Sequence, residues 1–112
     1  LQESIDIEYR NLQDGKISPS EYIIITEVTS SQVTTQISEF VTSKPSEKWQ
    51  ESYISYMNGM KKFNEYIIET KVLANQIENE STDAEILETV NKIQAIKLES
   101  IEHIKKSNEL RP

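Results

Sequence analysis

Apolar, aromatic and small side chains recur at alternating spacings of four and three residues between Trp49 and Ile77. The series is Trp49, Tyr53, Tyr56, Met60, Phe63, Ile67, Thr70, Ala74 and Ile77, with Met57, Ile68 and Leu73 widening the stripe. This alternation is typical of a helix that buries one side in a hydrophobic core. Asn58 and Gly59 interrupt the stretch but do not shift its phase. The pattern predicts one long helix over about residues 45–79, and a turn at Asn58-Gly59 is the alternative.

The tripeptide Pro-Ser-Glu occurs twice, beginning at Pro19 and at Pro45. In the first copy, Ser18 occupies a helix N-cap position and Glu21 follows three residues later, as in a capping box. Proline suits the first helical position, where its missing N–H has no intrahelical partner. The second copy follows Lys44, which is a poorer cap. Both copies predict helix starts.

A second capping box lies at Thr82 and Glu85, and it predicts a helix over about 83–108. Acidic residues at this point also suit the positive end of the helix dipole. The core stripe predicted for this helix consists of Ile86, Val90, Ile93, Ile101 and Ile104, with Leu87, Ile96 and Leu98 beside it.

Two further helices are predicted before the long one, over about 1–14 and 19–42. Gly15 follows the first helix, and glycine readily adopts the left-handed backbone conformation that ends a helix. The second contains the run "VTSSQVTTQ", whose β-branched and hydroxylated residues favour a helix only weakly. A strand pair turning near Ser30-Ser31 is the alternative, although no Gly or Asn-Gly turn is present there.

Together these segments predict an all-α, antiparallel up-down four-helix bundle with one long helix, and a single domain over residues 1–112. The chain contains only two glycines and three prolines, too few for an all-β domain with a turn every 8–12 residues. Connections of about three to five residues place neighbouring helices antiparallel. The first helix is short beside the third.

The net charge of −7 weighs against two classes of partner. An acidic surface repels the phosphates of nucleic acids and the anionic lipids of membrane surfaces. The longest apolar run, from Tyr22 to Ile25, is far shorter than the roughly 20 residues that cross a bilayer. We therefore expect no nucleic-acid partner and no membrane insertion by this segment.

The sequence offers little for catalysis. It has no cysteine and one histidine, His103, near the end of the last predicted helix. The Glu-x-x-His pairs of di-iron bundles are missing, because Ser100 stands three residues before His103. The acidic stretch between Glu78 and Glu88 lacks the ligand spacing of a calcium loop. We expect a protein that is not an enzyme and that has no cofactor and no metal site.

Six residues are candidates for contact with a ligand or a partner protein. Aromatic side chains on a core stripe are usually structural, but tyrosine and tryptophan also anchor interfaces. Small hydroxyl groups on helix seams bond to the backbone or line polar cavities. The candidates are Trp49, Tyr53, Tyr56, Thr26, Ser30 and Thr70.

Two functions fit this architecture. An even number of antiparallel helices brings both chain ends to one end of a bundle, and the chain does not begin with Met. This organisation resembles, at the level of fold analogy, the ligand-binding ectodomains of chemoreceptors and sensor kinases. It implies an extracytoplasmic recognition module that senses a small molecule or binds a helical protein, with a homodimer as the signalling unit. The alternative is a secreted or cytosolic structural or adaptor protein that acts through self-association or protein–protein contacts.

Overall fold

The computed structural model describes residues 2–112, with side chains from Ser4 onward, and the described chain is helical without any strand. The helices are α1 (Gln2–Gln13), α2 (Pro19–Thr42), α3 (Gln50–Glu78) and α4 (Asp83–Glu109), with a single 3₁₀ turn at Glu47–Trp49. The predicted all-α bundle with one long helix is confirmed. The predicted start of the first helix at Leu1 lies outside the described residues.

Helices α2 and α4 begin directly after the residues predicted to cap them. The Ser18 hydroxyl accepts a hydrogen bond from the Glu21 N–H at 3.1 Å, and Thr82 accepts one from the Glu85 N–H at 3.2 Å. In each pair the hydroxyl also donates to the glutamate carboxylate. Gly15 has a φ of +72°, the left-handed conformation that glycine adopts without steric cost. These local bonds fix where α2 and α4 begin.

The second Pro-Ser-Glu copy does not begin a helix, which corrects the predicted start at residue 45. Ser43 ends α2 instead, and its hydroxyl donates to the Phe40 carbonyl at 2.9 Å. Proline restricts the residue before it to extended backbone, so Pro45 keeps Lys44 out of a helix. The 3₁₀ turn follows, and α3 begins only at Gln50.

Helix α3 is the centre of the bundle, with α2 and α4 packed on it from different sides and not against each other. The Tyr22 hydroxyl of α2 donates to Thr70 near the end of α3, whereas the ring of Phe40 packs against Tyr53 near its start. This pairing shows that α2 and α3 are antiparallel. The molecule is elongated, with extents of 50 × 23 × 18 Å.

Helix α1 covers only the half of the bundle that contains the end of α3. Its Tyr9 ring contacts the rings of Tyr22 and Tyr66, with centroids 6.4 and 6.1 Å apart. Asp6 accepts a 2.7 Å hydrogen bond from the Tyr66 hydroxyl and pairs with Lys97 of α4 at 3.2 Å. Burial, followed by the bond to Asp6, raises the pKa of Tyr66 well above its usual value. The other half of the bundle has no fourth helix over it.

Helix α3 is continuous through Asn58-Gly59, and Gly59 has a packing role. A Cβ at this position would lie 2.5 Å from Ile104 Cδ1 and 3.3 Å from His103 Cβ. The Ser100 hydroxyl donates to the Gly59 carbonyl at 2.9 Å. Glycine therefore lets α4 approach α3 closely, which offsets its cost of about 1 kcal/mol in a helix.

The stripes of buried residues on α3 and α4 contain fewer apolar side chains than the sequence predicts. Phe63 and Ile67 are buried as expected, with 6% and 0% of their surfaces exposed. However, several apolar residues assigned to the stripes lie at the surface, namely Ile68, Leu87, Leu98 and Ile101. The reason is that α3 has neighbours on only part of its circumference, and α4 packs mainly against α3, with α1 beside only part of its length.

Replacing Phe63 with alanine tests the core. Large-to-small substitution of a buried phenylalanine removes apolar contacts and leaves a cavity, so we expect Phe63→Ala to lower the free energy of unfolding by about 3–5 kcal/mol. Urea denaturation measures this loss. The control is Ile24→Ala on α2, where the side chain is 62% exposed and the expected loss is small. A loss below about 1 kcal/mol for Phe63→Ala would contradict its burial.

Close packing at Gly59 predicts that a branched side chain is not tolerated there. The valine side chain of Gly59→Val would lie against the Ile104 side chain and the Cβ of His103. Overpacking of this kind costs about 1–3 kcal/mol, which urea denaturation resolves. Ala95→Val, at an exposed position of α4, is the control, and its expected loss is only the lower helix propensity of valine, roughly 0.5 kcal/mol. Equal stabilities for the two variants would show that α4 does not approach Gly59.

Stability at high pH tests the aromatic contacts of α1. Burial raises the pKa of Tyr9 from 10.0 to about 12. As the pH rises through this window, the unfolded chain loses a proton that the folded chain keeps, so the free energy of unfolding falls. Tyr9→Phe removes this group, and urea denaturation between pH 9 and 12 is expected to show a shallower fall. An unchanged pH dependence would mean that Tyr9 is exposed to solvent.

Candidate functional site

The structure places the six predicted site residues in three environments. Thr26 and Thr70 are buried and engaged internally: Thr26 donates to the Ile23 carbonyl, and Thr70 donates to Ile67 and accepts from Tyr22. The Thr26 hydroxyl is thus bonded to the backbone, and the Thr70 hydroxyl to the backbone and to Tyr22.

Ser30 is half-buried and donates to the Asn64 side-chain oxygen at 2.7 Å. It borders a shallow groove of about 230 Å³ between α2 and α3, together with Thr26 and Ile68. The Glu27–Lys71 ion pair, at 3.3 Å, belongs to α2 and α3 at the same place. This hydrogen bond and ion pair already join the two helices, so the groove has few unsatisfied polar groups.

The three aromatic candidates lie near the start of α3. The ring of Phe40 on α2 packs against Tyr53 and Tyr56, with centroids 5.3 and 4.9 Å apart. Trp49 ends the 3₁₀ turn and is 37% exposed, so it lies outside the core stripe to which the sequence assigned it. The structure thus brings Tyr53 and Tyr56 together through Phe40.

A cavity of about 520 Å³ opens beside this cluster, between the end of α2 and the start of α3. We refer to it as the end cavity. Its apolar lining consists of Phe40, Val41, Pro45, Tyr53, Ile54 and Met57, and its polar lining of Ser43, Lys44 and Gln50. Pockets for small molecules are typically about 300–1,000 Å³ and mostly apolar, with a few polar groups. The end cavity has both properties.

The connection between α2 and α3 explains why this cavity exists. Ser43 and Ser46 have extended backbones, with ψ values of 149° and 157°, and Pro45 lies between them. This connection joins the helix ends without covering the side chains beneath it. Val41 and Ile54 consequently remain 62% and 54% exposed. Two large apolar side chains are therefore available at the cavity wall.

A second depression, the trough, occupies the half of the bundle that α1 leaves uncovered. It has a volume of about 270 Å³ and is lined by Gln36, Tyr56, Gly59, Met60, Phe63, Ser100 and Ile104. Met60 and Phe63 are only 8% and 6% exposed, so their side chains already fill most of its floor. The trough therefore offers less apolar surface to a ligand than the end cavity.

The outer side of α4 carries a third apolar surface, which we call the α4 strip. It consists of Leu87, Leu98 and Ile101, which are 60%, 55% and 43% exposed. Leu98 and Ile101 also border a groove of about 370 Å³ between α4 and α1. Exposed apolar side chains on one helix side are typical of contact surfaces between proteins.

Within residues 4–112, no three His, Asp or Glu side chains converge to form a metal site. Burial raises the pKa values of Tyr9, Tyr22 and Tyr66, so these hydroxyls stay protonated near neutral pH. From Gln2 to Pro112, no helix combines the length and apolar character needed to cross a membrane.

The chain matches no protein-family model, no curated protein and no solved structure at a significant level. Functional inference therefore rests on the geometry of the molecule.

Of the six predicted candidates, only Tyr53 belongs to the lining of the end cavity, and Lys44, Val41 and Ile54 were not among the candidates. A signal for Ile54 was present, because it is an apolar residue on the side of α3 opposite to Phe63. An apolar residue out of phase with the core stripe, close to a connection that contains proline, marks surface that the bundle does not bury.

Proposed function

We propose that this protein is a non-catalytic recognition module that binds a small molecule in the end cavity. The supporting observation is the cavity itself: about 520 Å³, mostly apolar, with Val41 and Ile54 more than half exposed. Large apolar side chains in a concave site gain free energy when a ligand removes them from water. The site has the chemistry of binding and not of bond cleavage.

The position of the cavity suits a sensor. Its lining comes from two helices and their connection, so a bound ligand would contact α2 and α3 at once. The ligand then favours the relative position of the two helices to which it binds more tightly. The size of the shift is set by the difference in its affinity for the two positions. We propose that this module is the extracytoplasmic sensing domain of a membrane receptor or sensor kinase, in which small helix shifts at a dimer interface carry the signal.

The second candidate function is that of a structural or adaptor protein, and the α4 strip favours it. Burial of Leu87, Leu98 and Ile101 against another chain would stabilise a complex. Sedimentation of the wild-type protein and of Leu98→Glu distinguishes this function. A dimer that the substitution dissociates supports self-association through α4, and a wild-type monomer at high concentration opposes it.

Thermal unfolding with a library of small metabolites tests the primary proposal. A ligand at 100 times its Kd is expected to stabilise the folded protein by about 2.7 kcal/mol. Ile54→Asp places a charge in the cavity wall and is expected to abolish this stabilisation. Failure of every compound to raise the melting temperature would count against recognition of small molecules.

The matched control is Ile24→Asp, a similarly exposed isoleucine on α2 at 62%. It lies about 25 Å along α2 from Val41, given a rise of 1.5 Å per residue. This variant is expected to keep full ligand stabilisation. If both variants lose it equally, the ligand does not bind in the end cavity.

A further inference from the structure

The charge at the end cavity differs from that of the whole chain. The protein is acidic, with a net charge of −7, yet Lys44 is the one basic or acidic residue among the described residues that line the cavity. No carboxylate belongs to this lining. The cavity therefore combines apolar walls with one positive charge, that of the Lys44 ammonium group.

A second lysine lies on the same side of α3, outside the cavity lining. Lys61 follows Met57 by four residues and Ile54 by seven, so the three side chains share one side of α3. Among the described side chains, the ion pairs of the molecule involve neither Lys44 nor Lys61. Of the two, Lys44 belongs to the cavity lining, and its ammonium group is available to an anion that occupies the cavity.

We infer that the end cavity binds an amphipathic anion, a carboxylate with a medium-length alkyl or aryl-alkyl tail. This inference rests on the proposed recognition function and specifies its ligand. The tail contacts Val41, Ile54 and Met57, and the carboxylate pairs with Lys44. The Gln50 amide, also in the lining, can donate a hydrogen bond to the same carboxylate.

The tail and the head group contribute differently to binding. The buried methylenes together supply most of the affinity, because their summed contribution exceeds that of one exposed ion pair. Lys44 is exposed, so its pairing with a carboxylate adds only a factor of about two to five. The head group therefore determines the preference among ligands that have the same tail.

The two methionines of the chain supply matched reporters for this test. Met57 lines the end cavity, whereas Met60 lines the trough. Protein labelled with ¹³C at the methionine methyl groups is titrated with octanoate, 1-octanol and octylammonium, which share one tail and differ in charge. Met60→Leu assigns the two signals.

We expect octanoate to shift the Met57 methyl signal and to leave that of Met60 in place. Its Kd is expected to be about two- to fivefold lower than that of octanol, and octylammonium is expected to bind most weakly. Lys44→Gln should raise the octanoate Kd to that of octanol without changing the octanol Kd. Lys44→Arg should retain the preference, and Lys16→Gln, at the far end of the molecule, should leave all three affinities unchanged.

Three other outcomes of the titration would bear differently on the inferred ligand class and on the proposed recognition function. Equal binding of the three compounds at Met57 overturns the inferred ligand class but supports recognition at the end cavity. A shift of the Met60 signal in place of Met57 moves the site to the trough and overturns both proposals. No shift of either signal overturns the inferred ligand class, while the metabolite screen decides separately on small-molecule recognition.

Discussion

Burial of the apolar stripe of α3 is the constraint on which the whole molecule depends. Phe63, Ile67 and Ala74 are almost inaccessible to water, and every other helix uses this stripe as its packing surface. Because α2 and α4 do not pack on each other, α3 is the main link between them, and α1 adds a smaller one through the Tyr9–Tyr22 contact and the Asp6–Lys97 ion pair. The buried apolar surface is thus centred on α3 and is not shared equally by the four helices.

The unequal lengths of the helices produce the surfaces on which function can act. Helix α1 has 12 residues and α3 has 29, so α1 covers only part of the groove between α2 and α4. The remaining groove is partly filled by Met60 and Phe63, whereas the end cavity stays open below the proline-containing connection. A concave, mostly apolar site of about 520 Å³ therefore lies where helix packing ends, which is the physical basis of the proposed recognition function.

Most of the fold could be predicted from the sequence, because its signals are local. The caps at Ser18 and Thr82 and the four-three alternation depend only on neighbouring residues, and they gave the helix ends within about two residues. The start of α3 was missed because Ser43 bonds to the preceding helix instead of the following one. The cavity was missed for a different reason: exposure of Val41 and Ile54 depends on how the connection crosses the bundle, which periodicity does not encode.

The paired serines between α3 and α4 limit how this molecule can move. Ser52 donates to the Ser107 carbonyl and Ser107 donates to the Ser52 carbonyl, both at 2.8 Å. Sliding of either helix along the other would break both bonds. They therefore fix the register of the start of α3 against the end of α4, so that the two helices keep one alignment.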